Sequence, residues 1–356
     1  MRKKTKLITI GTKAIGDQQA IAIQSMLMCD PIKLEEALTQ VQALESAGCD
    51  LIRVAVPSMQ SAKNLSILKS KMHIPLIADI HFDPELALEA IKQGVDKIRL
   101  NPSNIRNEVQ IREVVACAKD HGIPIRVGAN QGSLKAQDKH KTSPAKALFD
   151  AICREVDLLE KMNFHQIVLS AKASDIRTNL EVNRNLSQAF DYPLHLGLTE
   201  AGLPCQGAVK TTLALSPLLT EGIGDTLRFS LTGSLEDEIY AARALLRYLN
   251  LEDSVEIIAC PTCGRCKWNV AQAAARISQA VSHLKVKASL AIMGCEVNGP
   301  GEASEADFGI AGTGSKVLLF EKGVRIASGE EEAMIQLLLE KISQSFHHRS
   351  SSQKPR

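Results

Sequence analysis

The chain has 356 residues, of which 45% are hydrophobic and 23% charged, as in a soluble globular protein of one large domain or two ordinary ones. Its 42 basic and 40 acidic residues leave a formal net charge of +2, so no global field draws it to nucleic acid or a membrane surface. Aromatic residues make up 3%, which argues against a base-stacking surface. No apolar run approaches about 20 residues, so no transmembrane helix is expected.

The basic start, MRKKTKLITIGTK, is followed by no apolar signal-peptide core, and we expect no secretory signal. The chain contains 9 cysteines, an odd number that argues against a disulfide framework in a chain of this size. We therefore expect a cytoplasmic protein with reduced thiols. Any cysteine cluster then points to metal or redox chemistry.

From Ala20 to about Asn250 one unit recurs, in which a short apolar run is followed by a polar loop and an amphipathic segment. Apolar strands that alternate with helices indicate a parallel sheet covered on both faces. Eight such units predict an α/β fold of the (β/α)8 TIM-barrel type for residues 1–250, and a doubly wound open sheet is the weaker alternative. The runs are Ala20–Met26, Leu51–Val56, Ile74–Ile80, Lys97–Leu100, Ile123–Ala129, Gln166–Ser170, Pro193–Leu198 and Thr226–Ser230.

A second domain is expected after the short polar segment Asn250–Ser254. The strand VEIIA leads into cysteines, a helix and a strand, VKASLAIMG, follow, and two further strand segments precede a closing helix. This order predicts a smaller α+β domain over residues 255–346. The polar tail, residues 347–356, is expected to be disordered.

Charged and polar residues stand at the carboxyl ends of the predicted barrel strands, where active sites of this fold lie. The arginines could merely brace the barrel by pairing with Asp79, Asp96 or Glu200. Four arginines and a lysine instead favour an anion site, because the arginine fork suits phosphate oxygens and several together suit a diphosphate. The candidate residues are Arg53, Asp79, His81, Arg99, Asn101, Arg126, Asn130, Lys172, His195, Glu200, Arg228 and Ser230.

Two cysteine motifs mark the second domain. CPTCGRC contains Cys260, Cys263 and Cys266, and GCEVNGPGE contains Cys295 and, after an expected tight Gly-Pro-Gly turn, Glu302. No thioredoxin-like βαβ unit surrounds the first motif, which argues against a disulfide oxidoreductase. The spacing alone leaves structural zinc and an iron–sulfur cluster equally open.

Several motifs together resemble one family. CPTCGR, GCEVNGPGE, ADIHFD, RLNPSNI, KASD, HLGLTEAG and EGIGDTLRFSL are similar, in order, to those of the 4-hydroxy-3-methylbut-2-enyl diphosphate synthases of the bacterial non-mevalonate isoprenoid pathway. The resemblance spans nearly the whole chain and fits the short, two-domain bacterial form. It implies an iron–sulfur oxidoreductase that opens the ring of 2-C-methyl-D-erythritol 2,4-cyclodiphosphate with two electrons and eliminates water.

The resemblance also implies a [4Fe–4S] cluster and its ligands, Cys260, Cys263, Cys295 and Glu302. A carboxylate ligand is harder and more exchangeable than a thiolate, so one iron can open to a substrate oxygen. Cys266 has no counterpart among the family's ligands and is expected to be a spare thiol. Flavodoxin or a ferredoxin is the expected electron donor.

A head-to-tail homodimer is likewise expected, both from the resemblance and because the five-residue link is too short to carry the cluster domain over its own barrel mouth.

The resemblance assigns phosphate binding to Arg53, Arg99, Arg126 and Lys172, helped by His195, Arg228 and Ser230. Asn298 is expected beside the reacting oxygens and Glu200 to orient or protonate the substrate, whereas Asp79 and His81 are weaker candidates. The sequence departs from the family pattern in two loops, IQSMLMCD after the first strand and AGLPCQGAVK after the seventh.

Two other functions remain open at this point. One is a zinc-stapled phosphosugar aldolase or isomerase that uses Lys172 as a Schiff-base or general-base residue. The other is a module that senses metal or redox state and has no catalytic role.

Overall fold

The computed structural model describes residues 2–81, 83–100, 107–133, 142–282, 284, 286–297, 299–313 and 315–350. It divides into two compact units, Met1–Leu251 and Glu252–Arg356. This division falls within the predicted linker, Asn250–Ser254. The predicted Asn101 and Asn298 lie outside the described residues.

The first unit contains eight parallel strands. Six lie within a predicted apolar run, and β7 and β8 start within theirs and extend one and two residues beyond. The hydrogen-bonded order of the eight strands is β8-β7-β6-β5-β4-β3-β10-β9. A parallel bridge between Leu169 and Leu194 brings the two ends of this order together. The predicted (β/α)8 barrel is thereby confirmed. The strands are β3 (Ala22–Met26), β4 (Leu51–Ala55), β5 (Leu76–Asp79), β6 (Lys97–Arg99), β7 (Ile125–Asn130), β8 (Ile167–Lys172), β9 (His195–Gly197) and β10 (Thr226–Arg228).

A hairpin that the sequence analysis did not predict precedes the barrel. Its strands, β1 (Ile8–Ile10) and β2 (Lys13–Ile15), pair antiparallel. Its isoleucines pack against residues near the starts of four barrel strands, so the hairpin closes the amino-terminal end. We call this packed set the apolar floor: Ile8, Ile10, Ile15, Ala22, Leu51, Ile77 and Val168.

Nine helices of the first unit, as far as it is described, surround or connect the strands. Six of them begin at a residue whose side chain accepts a hydrogen bond from a backbone N–H of the first turn, which satisfies a donor that the helix leaves free. The helices are α1 (Leu34–Ser46), α2 (Met59–Lys63), α3 (Leu65–Lys69), α4 (Pro84–Lys92), α5 (Glu108–Asp120), α6 (Pro144–Lys161), α7 (Ile176–Ala189), α8 (Pro204–Thr220) and α9 (Leu235–Tyr248).

Alternation along each strand separates two environments. In β7, Ile125 and Val127 belong to the large apolar core between strands and helices, whereas Arg126 between them does not. In β6, Ile98 belongs to that core and Lys97 does not. Because successive strand residues point to opposite faces, the polar residues point into the barrel.

The second unit is a five-stranded sheet in the order β11-β12-β13-β14-β15. The first three strands are parallel and the last two join antiparallel. Two long helices contribute to its main apolar core. The elements are β11 (Val255–Ala259), α10 (Val270–Val281), β12 (Ala288–Met293), α11 (Gly299–Glu305), β13 (Phe308–Thr313), β14 (Lys316–Glu321), β15 (Val324–Gly329) and α12 (Glu331–Ser350).

Two local predictions for this unit were wrong. The Gly-Pro-Gly segment does not form a tight turn but begins the short helix α11. Its start is joined to the second cysteine motif, because the Gly299 N–H donates to the Cys295 carbonyl oxygen at 3.1 Å. The last helix continues to Ser350, so residues 347–350 of the expected disordered tail are helical, and residues 351–356 lie outside the described part.

Among the described residues, none of the helices has the length and apolar character needed to cross a membrane.

Candidate functional site

The inner face of the barrel carries charges where branched apolar side chains usually fill such a barrel. Burial removes these groups from water, and a buried charge is costly unless a partner or ligand compensates it. Six cationic side chains, one histidine and one aspartate occupy these inward positions. They are Arg53, Asp79, Lys97, Arg99, Arg126, Lys172, His195 and Arg228.

Asp79, at the end of β5, is the carboxylate shared by two of these arginines. Its oxygens lie 3.7 Å from Arg53 Nε and 3.5 Å from Arg99 Nη1. The half-exposed His81 places Nε2 3.6 Å from the same carboxylate. Burial alone would raise the pKa of Asp79, but His81 and the neighbouring guanidinium groups outweigh it and hold that pKa below its usual range. Arg53 and Arg99 therefore do pair with a carboxylate, as the alternative of a structural role predicts for them.

Arg228 has a partner that the sequence analysis missed. Its Nε and Nη2 lie 3.3 Å from the carboxylate oxygens of Glu238, which α9 places 3% exposed. Ser25 Oγ and the Leu231 N–H also donate to Glu238, at 2.8 and 3.1 Å. In the sequence, Glu238 is recognisable only as a glutamate in the first turn of an amphipathic helix. A glutamate at that position is more often solvated or interacts with the helix dipole, so its pairing with Arg228 was not predicted.

Within the described part of the chain, the other two carboxylates of the bracing alternative, Asp96 and Glu200, are not paired with these arginines. Asp96 forms its ion pair with Lys69 and accepts the Leu76 N–H at 2.7 Å. Glu200 is exposed and has a φ of 55°, a left-handed conformation uncommon for a residue with a side chain. Strained residues of this kind concentrate at functional sites.

Among the ion pairs of the described residues, none joins Arg126 or Lys172 to a carboxylate. Arg126 is 3% exposed, and its Nε and Nη1 have no hydrogen-bond partner in the described part of the chain. A Cβ atom added to Gly197 would lie 2.7 Å from Lys172 Nζ, so this glycine makes room for the amine. Burial and neighbouring arginines lower the pKa values of both groups well below their ordinary values.

His195 lies inside the barrel and is 0% exposed. Its Nδ1 is 2.8 Å from Thr226 Oγ1, and its Nε2 has no hydrogen-bond partner among the described residues. Burial and the nearby cations Arg126 and Lys172 lower its pKa well below the ordinary value, so the imidazole is neutral at physiological pH.

Two predicted residues lie at the rim of this interior. Asn130 ends β7 and Ser230 follows β10, and both are partly buried. Among the described residues, Asp79 and Glu238 pair with three of these six cations, Arg53, Arg99 and Arg228, so positive charge is in excess. The barrel interior is therefore suited to a compact, multiply charged anion.

In the second unit, the two cysteine motifs lie at one edge of the sheet. Cys260 directly follows β11, and Cys295 follows the neighbouring parallel strand β12 by two residues. The Cys260 N–H donates to the Ile292 carbonyl at 2.9 Å, and the Lys267 N–H donates to the Gly294 carbonyl at 3.2 Å. These bonds hold the CPTCGRC loop against the second motif.

The side chains at this edge differ in exposure. Cys295 is 8% exposed, Cys263 is exposed, and Glu302 projects from the first turn of α11 on the exposed surface. Between Cys260 and Cys263, Thr262 has a φ of 63°, a rare conformation for a β-branched residue. Over the described residues, no three Cys, His, Asp or Glu side chains are gathered closely enough to hold a metal ion.

Cys266 contacts residues outside the CPTCGRC motif. Its thiol donates to the Trp268 carbonyl oxygen at 3.1 Å. A Cβ atom added to Gly294 would lie 2.8 Å from its sulfur, so the thiol packs against the backbone beside Cys295. These contacts occupy it within the protein.

Comparison with known proteins gives consistent matches. A family model described as the GcpE TIM-barrel domain matches residues 5–243, and one described as the GcpE protein C-terminal domain matches residues 256–344. The chain is 46% identical over 95% of its length to 98% of 4-hydroxy-3-methylbut-2-en-1-yl diphosphate synthase (flavodoxin) of Caldicellulosiruptor saccharolyticus. It is 44% identical over 96% of its length to 99% of the protein of the same name from Thermodesulfovibrio yellowstonii.

A solved structure shows likeness of fold. Dihydropteroate synthase of Xanthomonas albilineans is 12% identical, with a TM-score of 0.52 over 70% of this chain and 98% of that chain. At this identity the match speaks for the barrel architecture alone.

Proposed function

The chain belongs to the GcpE family, and from this membership we propose that it forms 4-hydroxy-3-methylbut-2-en-1-yl diphosphate, the product for which its relatives are named. It is an oxidoreductase of isoprenoid precursor biosynthesis. The reaction opens the ring of 2-C-methyl-D-erythritol 2,4-cyclodiphosphate, takes up two electrons and releases water. Family membership favours this activity over the zinc-stapled aldolase and over the non-catalytic sensor.

The observation that carries the proposal is the excess of buried positive charge in the barrel. A diphosphate supplies several oxygens that can accept hydrogen bonds from arginine and lysine at once. Arg126 and Lys172, which have no carboxylate partner among the described ion pairs, gain most from such an anion. The substrate would compensate charges that the folded barrel leaves uncompensated.

Each cation then has a defined part in binding. Arg53 and Arg99 are oriented by Asp79, and Arg228 is oriented by Glu238, so their geometry is set before the substrate arrives. Such preorganisation reduces the cost of ordering side chains on binding. Arg126 and Lys172 act as the principal charge partners of the phosphates. His195, Ser230, Asn130 and Asn101 add hydrogen bonds, and His81 stays a weaker candidate.

The residues of the cysteine edge fit an iron–sulfur cluster by donor type. Cys260, Cys263, Cys295 and Glu302 come from segments joined by backbone hydrogen bonds at one sheet edge, and they would hold a [4Fe–4S] cluster. When bound, the cluster supplies the two electrons one at a time. The exposed Glu302, an oxygen donor, is the ligand best suited to exchange. Cys266 is proposed to be a spare thiol because its contacts lie with Trp268 and Gly294.

Protons must be handled at the carbon framework, where a hydroxyl leaves as water. Glu200, exposed at the end of β9, is proposed to orient or protonate the substrate. Asn298, outside the described residues, is proposed to contact the reacting oxygens. The neutral His195 can donate a hydrogen bond without adding charge. Flavodoxin is the proposed electron donor because the relatives' names include it, and a ferredoxin is the alternative.

The active assembly is proposed to be a head-to-tail homodimer in the cytoplasm. A barrel helix runs antiparallel to its strand, so α9 ends at the side opposite the active-site mouth. The linker Asn250–Ser254 spans at most about 18 Å, too little to climb the barrel and cover its mouth. The cluster of one chain would therefore serve the barrel of its partner, and a two-fold axis makes this reciprocal.

Anaerobic purification and turnover test the proposal. We expect a brown protein that contains iron and sulfide and that, with an artificial reductant, converts the cyclic diphosphate into the linear product. A colourless protein with stoichiometric zinc and no turnover would favour the aldolase. Arg126→Ala is the matched control, since it leaves the cysteine edge intact and should keep iron while its turnover at low substrate concentration falls.

A further inference from the structure

Lys97 is the least exposed of the six inward cations that the structure describes. It is 0% exposed, and its strand position is paired with Ile77 of the apolar floor. Arg99, two residues on and on the same inward face, is paired instead with Asp79, closer to the mouth. Ile77 is also paired with Arg53, which is assigned to phosphate binding, so Lys97 stands next to the proposed anion site. The proposed function gives Lys97 no role.

The surroundings of the Lys97 amine offer it no compensation. Nζ has no hydrogen-bond partner among the described residues. The charged neighbours that act on it are Arg126 on β7 and Arg53 on β4, and both are cations. Lys97 in turn acts on the buried His195 of β9. Burial and then the two arginines lower the pKa of Lys97 well below its ordinary value, which favours the neutral amine more than water does.

A purely structural lysine is a poor explanation for this position. Leucine or methionine would fill the space above an apolar floor without an unpaired polar atom, as branched apolar residues do in most barrels. Other buried groups around the interior lack partners as well, within the described chain. The side-chain atoms without a hydrogen-bond partner are Gln24 Nε2 and Oε1, Asp79 Oδ1, Arg126 Nε and Nη1, and His195 Nε2. Both Arg126 nitrogens are donors, and an anion bound in the interior would supply acceptors for them.

We propose that Lys97 is a further anion-binding residue, which forms the floor of the diphosphate site and takes up a proton from solvent as the anion binds. The neutral amine becomes an ammonium and pairs with a phosphate oxygen, so the proton and the anion arrive together. This inference rests on the anion site of the proposed function, but not on the cluster or on the redox reaction.

Calorimetry with inorganic pyrophosphate tests the inference on the full-length, reconstituted protein. Titration in two buffers of different ionisation enthalpy at one pH measures the protons taken up per anion bound. We expect the wild type to take up protons as pyrophosphate binds, and Lys172 and His195 also contribute to this uptake. Lys97→Met should bind pyrophosphate about 10- to 100-fold more weakly, since a hydrogen bond to a charged group is lost. Its proton uptake should fall.

Two further variants sharpen the measurement. Lys97→Arg keeps a positive charge at all accessible pH values, so it should bind the anion with less proton uptake than the wild type. Lys119→Met removes an exposed lysine from the last turn of α5 and should change neither quantity.

The inference is overturned if Lys97→Met, shown to be folded by its melting temperature, binds pyrophosphate with wild-type affinity and uptake. If Lys97→Met does not fold, wild-type proton uptake by Lys97→Arg overturns it as well. The inference is also overturned if the wild-type protein does not bind pyrophosphate. Tight pyrophosphate binding with Lys97-dependent uptake, but no turnover of the cyclic diphosphate, would support the inference and count against the proposed function alone.

Discussion

The barrel interior and the cysteine edge are built in opposite ways. In the barrel, strands hold the charged side chains, and buried carboxylates fix three of the arginines before any ligand is present. At the cysteine edge, the donor side chains lie on loops and a short helix, and one thiol and the glutamate are exposed.

This difference indicates how each site meets its ligand. A set of buried like charges is costly in the empty state, so binding an anion releases unfavourable energy that the rigid barrel has stored. Thiols on loops cost little free energy when no metal is bound, and a metal cluster would draw them together as it binds. We therefore expect substitutions in the barrel to affect stability and binding, and substitutions at the cysteine edge to affect cofactor content.

The largest effect is expected for the cluster ligands. Cys260→Ser, Cys263→Ser and Cys295→Ser should each lose the cluster and all cluster-dependent turnover, because an iron would lack its thiolate. Iron and sulfide content after anaerobic reconstitution measures this. Cys266→Ser is the matched control from the same motif and should keep its iron and its activity. A cluster-free Cys266→Ser protein would overturn the ligand assignment.

Asp79→Asn tests the stability of the barrel interior. Removing one partner of a buried ion pair should lower the free energy of unfolding by about 3–5 kcal/mol. The pKa of Asp79 is lower in the folded state than in the unfolded chain, so its contribution is complete above about pH 4 and declines as the pH falls below that value. Denaturant unfolding of wild type and variant at about pH 7 and pH 3 should show the difference shrink in acid.

The control for this experiment is Asp191→Asn. Asp191 is 73% exposed and pairs with Lys3, so its loss should cost at most about 1 kcal/mol. Equal stability of Asp79→Asn and wild type at neutral pH would show that the carboxylate does not hold the arginines.

Glu302→Ala should separate cofactor content from turnover. Three thiolates can still hold part of the cluster, whereas the exchangeable ligand is gone, so iron should partly remain and turnover should fall strongly. Glu305→Ala, an exposed glutamate at the end of the same helix, is the control. Wild-type turnover by Glu302→Ala would place the carboxylate away from the cluster.

Arg99→Ala and Arg126→Ala should weaken binding of the cyclic diphosphate by about 10- to 100-fold each, as expected for hydrogen bonds to a charged group. Both variants should keep their fold, as circular dichroism would show. Arg184→Ala, which removes an exposed arginine paired with Glu221, should bind the substrate normally. Unchanged affinity in both barrel variants would contradict the phosphate assignment.

The smallest expected effect comes from mixing two variants at a substrate concentration too low for either to turn over alone. In a head-to-tail dimer, Cys295→Ser supplies an intact barrel and Arg126→Ala an intact cluster, so each mixed dimer has one complete site. Random subunit exchange should restore about one quarter of wild-type activity. No recovery after exchange has been demonstrated by mass spectrometry would mean that each chain closes on itself.

Much of the fold was accessible from the sequence because it depends on local patterns. Eight apolar runs separated by amphipathic segments predicted the barrel strands, and the order of elements after Asn250 predicted the second unit. The start of α11 was not accessible in this way, because glycine and proline also favour turns. The hairpin β1–β2 was missed because its short strands acquire their burial from barrel residues distant in the chain.

The sequence by itself determined which residue types stand at the ends of the strands and which cysteines share a motif. Only the tertiary structure decided how the charges are compensated, because pairing depends on residues far apart in the chain. Glu238 lies 10 positions from Arg228 but 213 from Ser25, and it contacts both. The sequence analysis placed Lys97 in an apolar strand and gave it no role. Closure of the barrel removes water from this lysine and leaves two arginines as its charged neighbours.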